Sequence, residues 1–239
     1  MINLKDCEHK IYSQWGEDGI TENIIKALYN SLNNKFYVEI GTESGAECNT
    51  RILREKYNWQ GAMFDAAFEN KSINLVKSFI TKDNVIGIMK TNNVPKEFNL
   101  LSLDIDGNDF YVLHSILKNY TPDIIICEYN ATHLPTEDKV IIYNEDFKWD
   151  GTNYFGASLL SFHNLLNKYN YSLVYTTILG VNAFFVKTEL LKRKVEFANV
   201  NDIDKLYNSA KYGQGRNGGH LNDKLNRKYV SSNSILTKK

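Results

Sequence analysis

Only three of the 239 residues are cysteine, at positions 7, 48 and 127, and no two form a CxxC pair. An odd number at wide spacing argues against a disulfide framework or a zinc knuckle and fits a reducing, cytoplasmic setting. No apolar run reaches the roughly 18 residues that a bilayer demands. The N-terminus, MINLKDCEHK, lacks the apolar stretch of a signal peptide. A net charge is missing too, with 28 Lys+Arg against 28 Asp+Glu. A nucleic-acid binder would usually show a basic excess, so none is expected as a partner. Proline is scarce, at three residues, and interrupts none of the apolar runs. What is present is a globular composition, 43% apolar and 13% aromatic. The length suits one large domain or two small ones, at about 100–200 residues per domain.

The zero net charge hides a split. Residues 191–239 hold eleven Lys/Arg and four Asp/Glu, a net of +7, which leaves −7 over residues 1–190. The basic stretch also clusters Gly213, Gly215, Gly218 and Gly219. It reads either as a solvated extension or as a basic flap near an anionic substrate. The division expected is therefore a domain over 1–190, opening with a lid segment at 1–34, and an extension over 191–239 packed on or flanking it.

Between these ends the apolar pattern alternates. Short runs at 36–40, 61–65, 85–89, 100–103 and 124–127 suit buried strands. Stretches at 48–57, 69–80, 110–117 and 158–169 carry helical spacing. Two β-rich runs, 171–179 and 181–187, flank Gly180 as an antiparallel hairpin would. Five β/α units closed by a hairpin predict an α/β fold: a Rossmann-like, doubly wound, mostly parallel sheet with an antiparallel strand at its edge.

Ligands of such sheets bind outside the carboxyl ends of the strands. The polar residues there are Glu39, Asp65, Asp104 with Asp106, and Glu128 with Asn130. The first turn, Glu39-Ile40-Gly41-Thr42-Glu43-Ser44-Gly45, has the form ExGxxxG. Glycines there admit a close ligand, but Glu43 sits where a dinucleotide fingerprint has its middle glycine, and a carboxylate repels a pyrophosphate. A nucleoside without phosphates fits better. S-adenosylmethionine, with its ammonium and sulfonium, is such a ligand, and Asp65 stands where a carboxylate takes ribose hydroxyls.

Several runs together resemble the FkbM-like S-adenosylmethionine-dependent methyltransferases. They are Tyr12-Ser13-Gln14-Trp15-Gly16-Glu17-Asp18, Tyr37-Val38-Glu39-Ile40-Gly41, Asn49-Thr50 and Trp59-Gln60-Gly61. They continue as Ser102-Leu103-Asp104-Ile105-Asp106-Gly107-Asn108-Asp109-Phe110 and Ile126-Cys127-Glu128-Tyr129-Asn130. Tyr154-Phe155-Gly156-Ala157-Ser158-Leu159 and Val181-Asn182-Ala183-Phe184-Phe185-Val186 complete them, with a looser echo at Asn217-Gly218-Gly219-His220. The resemblance spans roughly residues 11–190. It implies a class I methyltransferase fold and O-methylation, often of sugars in surface glycans or of natural products. The sequence departs from the family at Asp65-Ala66, where Glu-Pro is more usual. By position, Glu39, Gly41 and Gly45 would line the methionine moiety, and Asp65 would hold the ribose. Gln14, Gly16, Glu17 and Asp18 would fold over the cofactor, although Glu17 and Asp18 also suit a helix N-terminus. Asn49 and Thr50 would either cap the following helix or meet the cofactor. Asp104 belongs to both the cofactor and the acceptor sets.

Methyl transfer to oxygen needs an aligned hydroxyl and a proton acceptor. Asp104, Asp106, Glu128 and His133 are the catalytic candidates. Asp104, Glu128 and Asn130 could instead hold Mg²⁺ with water and a vicinal diol. His114 and His163 fall within helices and read as satisfied or solvated. The expected acceptor is a small molecule, a sugar, a sugar nucleotide or a glycan precursor, and edge strands leave a homo-oligomer open. Two other readings compete: a metal-dependent glycosyltransferase using the DxD of Asp104-Ile105-Asp106, and a non-catalytic S-adenosylmethionine-binding domain.

Overall fold

The computed structural model describes residues 1–28, 31–192 and 195–237. Residues 29–30 of the expected lid segment, and 193–194 and 238–239 of the basic extension, lie outside the described residues. The chain begins with a 3-10 turn at Leu4–Cys7 and helix α1 (Glu17–Leu28), followed by β1 (Phe36–Ile40), α2 (Arg51–Tyr57), β2 (Gln60–Asp65) and β3 (Leu75–Lys77). Next come α3 (Val85–Thr91), β4 (Glu97–Leu103), α4 (Asp109–Leu117), β5 (Thr121–Glu128) and β6 (Val140–Ile141). Then follow α5 (Leu159–Lys168), β7 (Tyr171–Thr176), β8 (Asn182–Lys187), α6 (Thr188–Leu191) and α7 (Ile203–Leu206). The last elements are β9 (Tyr229–Val230) and α8 (Ser232–Leu236).

Seven strands form one sheet in the order β3-β2-β1-β4-β5-β8-β7. The strands from β3 to β5 pair in parallel, while β8 runs antiparallel to both β5 and β7. The expected Rossmann-like, doubly wound sheet with an antiparallel hairpin strand is thus the fold observed. One detail differs: the antiparallel strand is β8, one place in from the edge that β7 occupies.

Period-two alternation feeds two apolar layers. On β5, Ile124 and Ile126 join α1 and α2 on one face, while Ile125 and Cys127 join α3, α4 and α5 on the other. Ile20, Ile24, Ile25 and Leu28 make the buried stripe of α1. Strands buried on both faces explain why β4 and β5 read as continuous apolar runs.

Residues 69–91 correct the sequence reading. A helix at 69–80 and a strand at 85–89 were expected, and the order is reversed. Asn70 accepts from the Ser72 amide at 3.1 Å, and Asn74 adopts a left-handed conformation at φ 55°. Both break a helix, and Leu75-Val76-Lys77 pairs with Met63-Phe64-Asp65. The chain must then cross over to a parallel strand, which favours a helix. Val85 and Met89, one turn apart, are the buried residues of α3. The β-branched character of 85–88 is overridden by this context.

The C-terminal extension is tied down by β9, which pairs antiparallel with β6. Among the described residues no helix is long and apolar enough to cross a membrane.

Two glycines give opposite expectations. Gly41 has φ +81°, and a Cβ there would lie 1.5 Å from the Asp104 carbonyl oxygen. Gly41→Ala should cost at least about 2 kcal/mol through backbone displacement. Gly87 is exposed within α3, and a Cβ there would meet nothing within 4 Å, so Gly87→Ala should stabilise by about 0.5–1 kcal/mol. Urea midpoints check both; an unmoved midpoint for Gly41→Ala would refute the close approach.

Candidate functional site

The carboxyl ends of β1, β2, β4 and β5 open onto a cavity of about 580 Å³. Its floor is set by Glu39, the fourth residue of β1. The buried carboxylate accepts from the Asn49 amide at 2.8 Å, the Thr50 amide at 3.0 Å and the Thr50 hydroxyl. It thereby fastens β1 to the start of α2. Burial raises the Glu39 pKa, and these donors from Thr50 and Asn49 oppose the rise. Thr50 is the residue preceding α2 and does not reach the cavity, whereas Asn49 lines it. The alternatives left open for this pair therefore divide between them.

Asp65 ends β2 and faces the cavity. Its Oδ2 accepts from the Glu43 amide at 2.8 Å, and Oδ1 from the Ala67 and Phe68 amides at 2.7 and 3.1 Å. The carboxylate joins the loops after β1 and β2. Gly41 lines the cavity as expected, but Gly45 does not. A Cβ at Gly45 would meet the Ile73 side chain at 2.7 Å and Met63 at 3.1 Å, so that glycine serves packing against β2 and the following turn.

Opposite lies a cluster of three carboxylates. Asp104 follows β4, Asp106 sits two residues on with φ +56°, and Glu128 ends β5. Each offers an oxygen within 4.8 Å of the others. Burial raises the pKa of Asp104 and Glu128 well above the carboxylate range, and repulsion within the cluster adds to it. Asp106 is also raised by desolvation, partly opposed by His220. Asp109 beneath them is held near pKa 6 by burial, and it shapes the loop by accepting from the Ile105 and Gly107 amides, each at 2.8 Å.

Two expected members lie elsewhere. Asn130 is fully buried outside the cavity wall. Its Nδ2 donates to the Asn153 and Phe155 carbonyls at 2.9 Å each, and its Oδ1 accepts from Thr132. Its oxygen is committed to the loop after β5, so Asp106 replaces it in any three-oxygen metal set. His133 lines a different, smaller cavity and is not placed to act as base in this one.

The N-terminal segment contributes less directly than expected. Gln14 and Trp15 line the cavity; Gly16, Glu17 and Asp18 do not. Asp18 Oδ2 accepts from the amides of Ile11, Tyr12 and Ser13 at 2.7–2.8 Å and from the Ser13 hydroxyl at 2.8 Å. Glu17 accepts from the Trp15 amide and from Asn182 Nδ2, each at 3.0 Å. These two carboxylates at the start of α1 shape the segment that presents Gln14 and Trp15.

Several cavity residues were not foreseen. Asn108 and Asn182 each leave a buried Oδ1 with no partner, and both line the wall. Phe147, Tyr212 and His220 join Trp149, which the sequence does offer as a residue for stacking on a sugar, in an aromatic side, with His220 centred 4.5 Å from Trp149 and 4.9 Å from Tyr212. Tyr212 and His220 come from the Gly-rich extension. In the sequence, the one hint was the Asn217-Gly218-Gly219-His220 echo.

Among the described residues the wall holds Glu39, Glu43, Glu47, Asp65, Asp104, Asp106 and Glu128, and no lysine or arginine; Lys10, outside the wall, pairs with Glu47. Compared with protein-family models and with curated proteins, the chain matches neither.

The cluster makes a pH prediction. A raised folded-state pKa means that the folded protein holds protons the unfolded chain has released. The stability so gained is full below the unfolded value of about 4 and is lost as pH rises through the folded value. Glu128→Gln removes one source of repulsion. Its melting temperature should therefore exceed the parent's by a margin that grows from pH 5 to pH 8 in chelator. A constant margin would contradict the raised pKa.

Proposed function

We propose that the chain is an S-adenosylmethionine-dependent O-methyltransferase acting on a hydroxyl of a sugar or related small molecule. The observation that carries this reading is the wall of seven carboxylates, without lysine or arginine among the described residues, at the carboxyl ends of a doubly wound sheet. Such a wall attracts a cationic nucleoside and repels a phosphate-bearing one. The resemblance to FkbM-like enzymes supports the same reading independently of the cavity.

The donor set suits the cofactor. Asp65, at the end of β2 and in the cavity wall, would offer carboxylate oxygens to ribose hydroxyls. Glu39 and the unpartnered Oδ1 of Asn182 offer acceptors to an ammonium group. When bound, S-adenosylmethionine supplies a methyl group on a sulfonium centre. The remaining work belongs to the acceptor side. Asp104, Asp106 and Glu128 supply hard oxygens of the kind Mg²⁺ takes; a cation there would acidify an acceptor hydroxyl. Without a cation, the same cluster can take the proton, because a raised pKa brings a carboxylate nearer neutrality and makes it a better base. Trp149, Phe147 and Tyr212 give a flat aromatic side against which a sugar ring can stack.

The carboxylate cluster also favours a second reading, metal-dependent glycosyl transfer through Asp104-Ile105-Asp106. A nucleotide sugar would bring a diphosphate into a wall that, among the described residues, has seven carboxylates and no lysine or arginine, which weighs against it. Titration calorimetry separates the two. S-adenosylhomocysteine should bind saturably, and Asp65→Ala should weaken it by about tenfold, the loss of a hydrogen bond to a charged group. UDP-glucose and GDP-mannose should not bind, with or without Mn²⁺. Binding of either sugar nucleotide in place of S-adenosylhomocysteine would sink the methyltransferase. If cofactor binds yet Asp104→Ala and Glu128→Ala leave methyl transfer unchanged, the cluster has no catalytic role. Full activity in EDTA would remove the metal alone.

A further inference from the structure

His133 presents a separate problem. It is 2% exposed, and both ring nitrogens lack a hydrogen-bond partner. A neutral imidazole carries one donor and one acceptor, and buried polar atoms without partners are rare. The ring lines a second cavity, of about 290 Å³, together with Lys139, Arg216, Arg227 and Asp223. Lys139 belongs to the loop after β5; Arg216 and Arg227 come from the basic extension.

The charges divide this cavity into two ends. At the Arg227 end, the guanidinium bonds Asp223 at 3.1 Å and Asp150 at 2.6 Å. That end sets two carboxylates against one guanidinium, so it carries no spare positive charge. At the His133 end, one carboxylate serves two cations. Glu137 accepts from Lys139 at 2.9 Å and from Arg216 Nη2 at 2.8 and 3.0 Å. Its Oε2 lies 4.0 Å from His133 Nδ1, and this single carboxylate, set against Lys139 and Arg216, leaves one positive charge in excess beside the imidazole. Among the described residues, the hydrogen bonds of Arg216 all leave from Nη2, so Nη1 and Nε are free to donate. Burial and the neighbouring Lys139 push the His133 pKa down to about 4, which keeps the ring neutral and able to give one N–H.

We propose that the corner formed by His133, Lys139 and Arg216 binds a phosphate-type oxyanion, either free phosphate or the phosphate group of a small metabolite. An oxyanion there takes the imidazole N–H and the spare guanidinium donors, and its charge balances the cationic excess. The site does not depend on what the acidic cavity binds. It also gives the +7 extension a definite partner chemistry.

The test follows the His133 ring by NMR while inorganic phosphate, and separately glucose 1-phosphate, is added at constant ionic strength. Saturable shifts of His133, with those of His220 unmoved, are the expected result. Arg216→Gln and Lys139→Gln should each weaken the binding at least tenfold, and circular dichroism should show both variants folded, since both side chains are partly exposed. Tighter binding of glucose 1-phosphate assigns the site to a phosphorylated metabolite, and equal binding assigns it to phosphate itself. Shifts that stay linear with concentration, or that survive intact in both variants, would overturn the proposal.

Discussion

The cavity exists because a carboxylate can be buried where enough N–H groups converge. Glu39 is 3% exposed, yet two amides and a hydroxyl at the start of α2 meet its two oxygens. Burying an ionised group without such partners costs several kcal/mol. With them, the end of β1 is locked to the next helix, and the intervening loop has to turn sharply through Gly41. Asp65 repeats the device between the loops after β1 and β2, and Asp18 repeats it in the N-terminal segment. These carboxylates are structural anchors that also bear charge. Asp106 and Glu128 differ, since among the described residues neither side chain receives a hydrogen bond. Their energy is raised when they stand charged together and falls when a proton or a cation arrives, which supports the role proposed for the cluster.

Much of the fold was legible in the sequence because its strands are buried on both faces. Runs such as Leu100-Leu101-Ser102-Leu103 and Ile124-Ile125-Ile126-Cys127, bounded by turn residues and spaced by helical stretches, suit the interior of a parallel sheet. Residues 69–91 were not legible. β3 is three residues long and lies at the sheet edge, so its apolar signal is brief. The Ile73, Val76, Phe79 and Ile80 spacing imitates a helix, but Phe79 is in fact 49% exposed. In α3, the β-branched residues Val85, Ile86 and Ile88 obscured a helix that burial of Val85 and Met89 defines.

The site divided in the same way. Strand-end carboxylates were readable because topology alone carries them to one rim. Asn130 and His133 follow the same strand as Glu128, but the chain turns after Tyr129, and Asn130 is consumed in holding that turn against Asn153 and Phe155. Sequence proximity to a rim is therefore a poor guide beyond the last paired residue. Tyr212, His220 and Asn182 reach the cavity from far along the chain. Tyr212 and His220 are set by glycine contacts no periodicity reveals: a Cβ at Gly213 would strike the Gly219 carbonyl oxygen at 2.2 Å, so the Gly-rich turn folds tightly on itself and brings His220 against Trp149.

The charge balance takes its meaning from this packing. The acidic surplus of the first 190 residues includes seven carboxylates around one cavity; among the described residues Lys10 pairs with Glu47 and His220 faces Asp106, and no lysine or arginine lines the wall. Among the described residues, the extension reaches that wall with Tyr212 and His220, while Arg216 and Arg227 bond elsewhere. Arg216 meets Glu137, while Arg227 meets Asp150 and Asp223. The two surpluses are thus kept apart by the segments around Trp149 and Leu221, joined by the hydrogen bond from the Asn153 amide to the Leu221 carbonyl at 2.8 Å. The cations of the extension are thus met locally by Glu137, Asp150 and Asp223, and the carboxylates of the first cavity are left to other partners. A chain with no net charge can in this way present a cation-seeking surface and an anion-seeking one within a single fold, and each is set by which carboxylates the backbone has already satisfied.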